Sequence, residues 1–397
     1  MIKRKRFRGP QKSLPIDIIQ NEILVKLPAR SLLRCRCVSK LWCSIIDDPS
    51  FASSHFKKCQ SNQEKNRLLV LEPPDIIESK QFCAIRNGEK FRKMSKIGLD
   101  VTWFEQYQAV SYVNGLICMK RYIKETQISN ILLWNPSIRK ALELPFSQFS
   151  NDAKIRHDID CALGYDHINN DYKVVASVYI GDDPLHPLHI PRHVYIFTLS
   201  TFSWKSANTD RGPCLWIKGG PKVFVKGVIY WGGIYVLTKP SPKGRFSHFV
   251  SFDVINDVFK YIDLPDSEHV NIWEYERFPI LLDQSIALLE IFESYSQIWV
   301  MEDSKGMEQS WTKRFNINLQ LLERCIYFKM DGELLFTGEK GGVNSYNIRS
   351  HETKVLAKSY KLSPIFVSVY RESLTLLKGI PERASFTFPS HGTSQIE

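Results

Sequence analysis

The sequence predicts a two-part molecule: a small all-α module near the N-terminus, followed by a larger all-β domain built from repeated units. Three observations predict it. Between Pro15 and Ile46 apolar residues recur at helical spacing, interrupted at Pro28 and halted at Asp47-Asp48-Pro49. After about residue 60 the pattern changes to short alternating or apolar runs broken by Gly, Asn, Asp and Pro, which is strand-and-turn signalling. Those runs then recur, with comparable starts at Trp134, Phe197, Phe252, Trp299 and Tyr346 spaced 63, 55, 47 and 47 residues apart.

Ser13-Leu14-Pro15 opens the first helix, with Ser13 or Leu14 at the cap. A proline in the first turn loses no needed hydrogen bond. Helical spacing puts Ile16, Ile19, Ile23 and Leu27 on one stripe and Ile18 with Val25 nearly opposite. A surface helix of a small module needs one stripe. A second implies a second apolar surface to meet, within the chain or on a partner. Pro28 stops this helix. Ser31 is placed to cap the next, whose apolar members are Leu32, Leu33, Cys35 and Val38. Ser39-Lys40-Leu41-Trp42 begins a third segment carrying Trp42, Ile45 and Ile46. A unit of about 40 residues rarely buries enough surface to stand alone. So many apolar residues in it predict a surface completed by a partner.

In the β region, Trp134-Asn135-Pro136-Ser137-Ile138-Arg139-Lys140-Ala141 reads as a strand end, a turn and a return. Phe197 to Trp204, Phe252 to Phe259 and Tyr346 to Thr353 share that layout, and Trp299 to Trp311 has a longer charged loop. Each unit is preceded by another hairpin-like segment, as at Asn114-Gly115-Leu116, Lys226-Gly227-Val228 and Asp331-Gly332-Glu333; Tyr172 to Tyr179 plays a similar part. Glycine supplies the unusual backbone angle of the turn, and β-branched and aromatic residues favour the strand behind it. Kelch-type propeller blades are four-stranded and run near ~50 residues. Double glycines at Gly232-Gly233 and Gly341-Gly342 suit that type. Residues 67–97 supply a first blade, and Pro364 to Val369 returns to close the ring. The fold expected is therefore a helical module of about three helices and a kelch-like β-propeller of six blades. The division is a basic tail at 1–12, the helical module at 13–58, the propeller at 66–378 and a polar tail at 379–397.

Composition narrows the setting. The formal charge of +11 is concentrated at the start: residues 1–13 carry six basic side chains and no acid, and residues 14–59 carry seven basic and four acidic ones. The remainder holds only +2, so nucleic-acid binding is not expected of the β domain. The basic head reads as a solvated tail or a nuclear-import patch. No apolar run approaches the ~18 residues of a membrane helix, and none follows the basic head as a secretory signal requires. The nine cysteines are scattered and never spaced Cys-x-x-Cys, which suits a reducing compartment. Asn135-Pro136-Ser137 is blocked as a glycosylation site by its proline. The cytoplasm, the nucleus or both are expected.

Little points to bond chemistry. The stretch from Asp182 to His193 holds His186, His189 and His193 with two carboxylates, a set that suits zinc in type. Three prolines make it an irregular loop, so the better reading is an exposed inter-strand loop, a candidate part of the target-binding face. Cys35 and Cys37 point about 200° apart on a helix and read as small core residues rather than metal ligands. Trp103, Phe104 and Tyr107 form an aromatic cluster that is either core or a protein-binding anchor. There is no Gly-x-Ser-x-Gly, His-Glu-x-x-His or phosphate loop. No catalytic residue, metal or cofactor is assigned.

Two families are resembled. Leu14-Pro15-x-Asp17-Ile18-Ile19, Ile23-Leu24-x-x-Leu27-Pro28, Ser31-Leu32-x-Arg34-x-x-Cys37-Val38-Ser39-Lys40-x-Trp42-x-x-Ile45-Ile46 and Asp48-Pro49-x-Phe51 are similar to the plant F-box, departing from it at Cys35, where many members have phenylalanine. The resemblance implies that a Skp-type adaptor is bound, with contacts at Leu14, Pro15, Ile18, Leu27, Pro28, Leu32, Val38 and Trp42. Asn114-Gly115-Leu116, Trp134-Asn135-Pro136-Ser137-x-Arg139-Lys140, Gly164-Tyr165-Asp166, Asp171-Tyr172-Lys173-Val174-Val175, Ser251-Phe252-Asp253 and Tyr370-x-Glu372-Ser373-Leu374 resemble the F-box-associated domain. Together these imply a substrate-recognition subunit of a Skp-cullin-F-box (SCF) ubiquitin ligase. It would reach a cullin and a RING protein through the adaptor and hold a protein target on the β domain. Trp103, Phe104, Tyr107, His186, His189 and His193 are the candidate target contacts. The pattern is compatible with the pollen S-locus F-box group, whose targets are stylar ribonucleases. The competing readings are an adaptor-binding regulator that delivers nothing for degradation, and an enzyme on a propeller fold.

Overall fold

A computed structural model of the chain describes residues 14–61, 67–72, 80–100, 107–123, 128–145, 156–181, 192–207, 215–217, 222–236, 247–265, 276–292, 295–302, 310–317, 324–329, 332–337, 342–358, 366–376 and 385–387. The helical module opens as an α-helix at Ile16–Ile18 (α1), loosens into a π-helical turn at Ile19–Ile23 and tightens into a 3-10 turn at Leu24–Lys26. The changes of pitch shift the phase of the apolar face. Ile19, Leu24 and Val25 are buried, while Ile16, expected on the same stripe as Ile19, is exposed. Helix α2 spans Ala29–Cys35. It starts ahead of Ser31 because the Pro28 carbonyl already accepts from the Ser31 and Leu32 amides at 2.8 and 3.0 Å. Helix α3 spans Lys40–Ile46 and is capped by Ser39, whose hydroxyl oxygen accepts from the Trp42 amide at 3.2 Å. A fourth helix, α4 (Pro49–Ser61), goes beyond the three expected. The Asp48-Pro49 pair that ends α3 also starts α4: the Asp48 carboxylate accepts the Ser50 amide at 2.7 Å, and proline suits the first helical position.

Six antiparallel sheets follow, as expected. Blade 1 holds β1 (Arg67–Leu71), β2 (Lys80–Asn87) and β3 (Lys93–Asp100). Blade 2 holds β4 (Tyr107–Val113), β5 (Leu116–Ile123), β6 (Ile128–Asn135) and β7 (Lys140–Glu143). Blade 3 holds β8 (Arg156–Asp166), β9 (Asp171–Gly181), β10 (Arg192–Thr198) and β11 (Ser203–Ser206). In blade 4 two short strands, β12 (Leu215–Ile217) and β13 (Lys222–Val225), share β14 (Val228–Val236), followed by β15 (Ser247–Asp253) and β16 (Val258–Asp263). Blade 5 holds β17 (Glu276–Leu282), β18 (Ser285–Ile291), β19 (Ser296–Glu302) and β20 (Ser310–Ile317). Blade 6 holds β21 (Arg324–Phe328), β22 (Glu333–Thr337), β23 (Val343–Asn347) and β24 (Thr353–Ala357). Finally β25 (Phe366–Val369) pairs with β1, Phe366 opposite Leu71 and Val369 opposite Leu68, so blade 1 is completed from the far end of the chain. All five repeat starts lie in the third strand of a blade, and Phe197, Phe252 and Tyr346 face Trp204, Phe259 and Thr353 across the last hairpin.

Strand alternation builds the ring, because successive side chains point to opposite faces of each sheet. Leu69 and Leu71 pack with Ile117, Met119, Leu132 and Trp134 of blade 2. The intervening Leu68 and Val70 pack with Leu335 and Val343 of blade 6. Leu116, Cys118, Ile131 and Leu133 turn the other way, into a cluster with Ile159, Cys161 and Leu163 of blade 3. Each fully buried aliphatic side chain of this kind contributes about 1.5–3 kcal/mol.

The short turns that join first to second and third to fourth strands are linked by hydrogen bonds around one face. The Tyr172 hydroxyl donates to the Asn114 carbonyl at 3.2 Å, and Lys173 donates to the Val254 carbonyl at 2.7 Å and to Asp257 at 2.9 Å. Arg349 donates to Asp283 at 2.8 Å and Lys329 to the Gly88 carbonyl at 2.7 Å. This is the turn face. Since strands alternate in direction, the other connections leave from the opposite face, about 20 Å away for a strand of six or seven residues. The tail expected at 379–397 contains one more strand, β26 (Ser385–Thr387), which pairs with β7, Phe386 opposite Ala141. The edge of β7 offers unpaired backbone groups that a further strand satisfies.

Candidate protein-docking surfaces

The apolar residues of the helical module divide into two sets. Leu24, Ala29, Leu32, Ile46 and Phe51 are fully buried. They belong to one apolar cluster that also contains Leu374, Leu376 and the interface of blades 2 and 3. Polar contacts brace this inner set. Arg36 pairs with Asp47 through Nε–Oδ1 at 2.7 Å and Nη2–Oδ2 at 3.0 Å, tying the end of α2 to the end of α3. The hydrogen bond that Arg36 donates to Asp47 pushes the guanidinium pKa up, although partial burial opposes it. Buried His55 on α4 places Nε2 at 2.9 Å from the Leu27 carbonyl, a donation that holds the link between the first helical segment and α2.

The outer set is Leu14, Ile16, Ile18, Val38 and Leu41, which are 42–63% exposed. They are five of the ten large exposed hydrophobic side chains among the described residues, within a short stretch of chain. Apolar side chains concentrated this way on a small module mark an interaction surface.

The eight adaptor positions expected from the sequence distribute across both sets. Leu14, Pro15, Ile18, Pro28 and Val38 are exposed, Leu27 and Trp42 are half-buried, and Leu32 is fully buried in the module's core. Leu32 therefore supports the surface from beneath instead of forming it. Ile16 and Leu41 are exposed and were not among the eight. Ile16 precedes the π-turn and stands three residues before buried Ile19, so helical periodicity places it on the inner stripe. Leu41 stands four residues before buried Ile45, so spacing alone assigns it to the core.

Of the expected target contacts, Trp103, Phe104, His186 and His189 lie outside the described residues. Tyr107 begins β4, opposite Arg121. His193 is exposed near the start of β10, its ring 6.3 Å from that of Tyr195 and stacked at 28°. The turn at Asn114-Gly115 follows the far end of β4 and the turn at 199–202 follows the far end of β10. Tyr107 and His193 therefore both sit at strand ends away from the turn face. The helical module is on the turn face itself, where the Ser53 hydroxyl donates to Asn170 Oδ1 at 3.2 Å. No described helix is long and apolar enough to cross a membrane.

Comparison with known proteins agrees with this geometry. Residues 12–54 match the F-box domain, and residues 68–341 match the F-box associated beta propeller domain. F-box protein CPR1 of Arabidopsis thaliana is 25% identical over 319 residues, covering 77% of this chain and 73% of that protein. F-box protein At3g07870 of the same plant is 26% identical over 334 residues, covering 79% and 74%. Among solved structures, the β-propeller domain of the Trilobed protease from Pyrococcus furiosus is similar at 14% identity and a TM-score of 0.35, with 74% of this chain and 80% of that chain covered, too distant to carry an argument. An F-box domain implies a Skp-type adaptor as partner, and its family members are typically non-catalytic. The chain belongs to the family in which an F-box domain is followed by an F-box associated beta propeller domain.

Proposed function

We propose that the chain is the substrate-recognition subunit of an SCF-type ubiquitin ligase: its F-box binds a Skp-type adaptor, which brings a cullin and a RING protein, and its propeller holds a protein target for ubiquitination and degradation. The observation that carries this reading is the exposed set Leu14, Ile16, Ile18, Val38 and Leu41 on the F-box. The mechanism is proximity. A target held on the propeller keeps its lysines at high effective concentration near a charged ubiquitin-conjugating enzyme, and no residue of this chain needs to make or break a bond. Target contacts are best supported on the face away from the F-box, where Tyr107 and His193 mark strand ends. A stylar ribonuclease is the target that the S-locus resemblance offers.

The test is co-purification of the full chain with a Skp-type adaptor. Leu14→Ala with Pro15→Ala, and separately Val38→Asp, should abolish it while thermal unfolding of the propeller stays unchanged. Undiminished adaptor capture by both variants would overturn the assigned surface. For the target, the full chain carrying Val38→Asp, cut off from the adaptor with its core intact, should retain a bound protein and protect it from degradation.

A further inference from the structure

We propose that the F-box and the propeller form one cooperative folding unit with a fixed mutual orientation, and that Glu372 is the positioning residue that sets it. The connection is not a tether. Leu24, Leu32 and Phe51 of the F-box share one apolar cluster with Leu374 and Leu376, which follow the last blade strand. At the centre of the junction the Glu372 carboxylate accepts the Ala29 amide at 2.6 Å, a contact between residues 343 positions apart.

The contact answers a specific need. Helix α2 is preceded by Pro28, which offers no side-chain acceptor, so its first-turn amides lack a local cap. Glu372 supplies one from the other domain. Its own position is fixed on both sides. The Tyr370 amide donates to the Arg67 carbonyl at 2.8 Å, and the Arg371 amide donates to the Tyr112 hydroxyl oxygen at 2.9 Å. Asn135 Nδ2 donates to the Ser373 and Thr375 carbonyls at 3.0 and 2.8 Å. The segment is thus clamped onto blades 1 and 2 before it reaches the F-box. Residue 115 must be glycine for the same reason: a Cβ there would overlap the Ser373 side chain. A second attachment, from the Ser53 hydroxyl to Asn170 at 3.2 Å, joins α4 to blade 3. Tyr370-x-Glu372-Ser373-Leu374 is therefore a clasp, closing the ring and holding the F-box with the same few residues.

The fixed orientation bears on ubiquitin transfer only if the ligase reading holds. The test is made on the chain alone, so the two can fail separately. Hydrogen–deuterium exchange of the full-length protein should show residues 29–35 opening together with β6. Glu372→Ala should raise exchange at 29–35 and in β6 together by about tenfold, the effect of one charge-assisted hydrogen bond. Glu372→Gln, whose amide oxygen still accepts, should raise it less, and Ile168→Ala, at an exposed site on the turn face, should leave it unchanged. Adaptor affinity of Glu372→Ala should stay within about twofold of the parent, because a tenfold rise in a rarely populated open form leaves nearly every molecule folded. Exchange of residues 16–46 while the propeller remains protected would overturn the cooperative unit. Unchanged exchange in Glu372→Ala, or adaptor affinity falling in step with it, would overturn the positioning role.

Discussion

Leu32 and Val38 stand six residues apart in the same small module, and the fold uses them in opposite ways. Leu32 is fully buried and Val38 is 63% exposed. Leu32→Ala should cost about 2–5 kcal/mol, the usual range for emptying a packed leucine site. Val38→Ala should cost under about 0.5 kcal/mol and still weaken adaptor binding. Urea unfolding of each variant, read beside adaptor affinity, separates support from contact; equal stability losses would show the two faces wrongly divided. Glycines divide the same way. Gly115 has φ +91° and its absent side chain leaves room for Ser373, whereas at Gly227, φ +82°, a Cβ would meet nothing nearer than 3.6 Å. Both Ala variants carry backbone strain, but Gly115→Ala should be the more destabilising, by more than about 1 kcal/mol, in thermal unfolding. Which of the eight adaptor positions faced outward was not legible in the sequence, because one helical unit had two apolar surfaces to cover and periodicity cannot rank them.

At the scale of elements, the last hairpins of blades 2, 4 and 6 repeat one turn. Asn135, Asp253 and Asn347 each accept the amide two residues on at 2.9 Å. Arg139, Asp257 and His351 then take φ of 54°, 55° and 58°. Side-chain acceptors that close their own turn are why Asn and Asp recur there, and why these hairpins could be read from sequence. Asp253 differs from the two asparagines in being ionisable. Burial works against its charge, but hydrogen bonds from the Asn256 side chain and amide and from the Ile255 amide, with Lys260 nearby, hold its carboxyl below the usual range. A carboxyl whose folded pKa is lowered stabilises the fold above its ordinary pKa and loses that contribution as pH falls through the folded value. Asp253→Asn keeps the turn acceptor, as Asn135 and Asn347 do. It should be close to neutral at pH 7 and should flatten the loss of thermal stability between pH 5 and pH 3. A parallel acid response in parent and variant would remove Asp253 from that account. The helical elements were less legible than the hairpins. A π-turn and a 3-10 turn in succession change pitch without changing residue types, and α4 begins on the same Asp-Pro pair that reads as a stop.

For the whole molecule, blade count and ring closure followed from the repeat, since each blade buries both faces only against neighbours and the last strand must return to the first. What could not be read was how the ring and the F-box join. A module too small to cover its own apolar residues calls for another surface, and the sequence does not say whether that surface lies within the chain. Here both answers hold: Leu24, Leu32 and Phe51 join a cluster with the propeller, and Leu14, Ile18 and Val38 remain outside. The chain end does two jobs in eleven residues, since β25 closes blade 1 and residues 370–376 hold the F-box. Truncation should therefore be sharply position-dependent. Among the described residues, a chain ending at residue 378 loses β26, a three-residue strand on the outer edge of blade 2, and should unfold in a single transition within a few degrees of the parent, in keeping with ~1 kcal/mol. A chain ending at 363 loses β25 and the clasp together. It leaves β1 unpaired on one edge, exposes the apolar faces of blades 1 and 2, and should aggregate or melt without a cooperative transition. Calorimetry of the two truncations decides the matter: a cooperative transition in the shorter chain would mean that five blades and an open sixth suffice, and that the return of β25 is not what holds the ring.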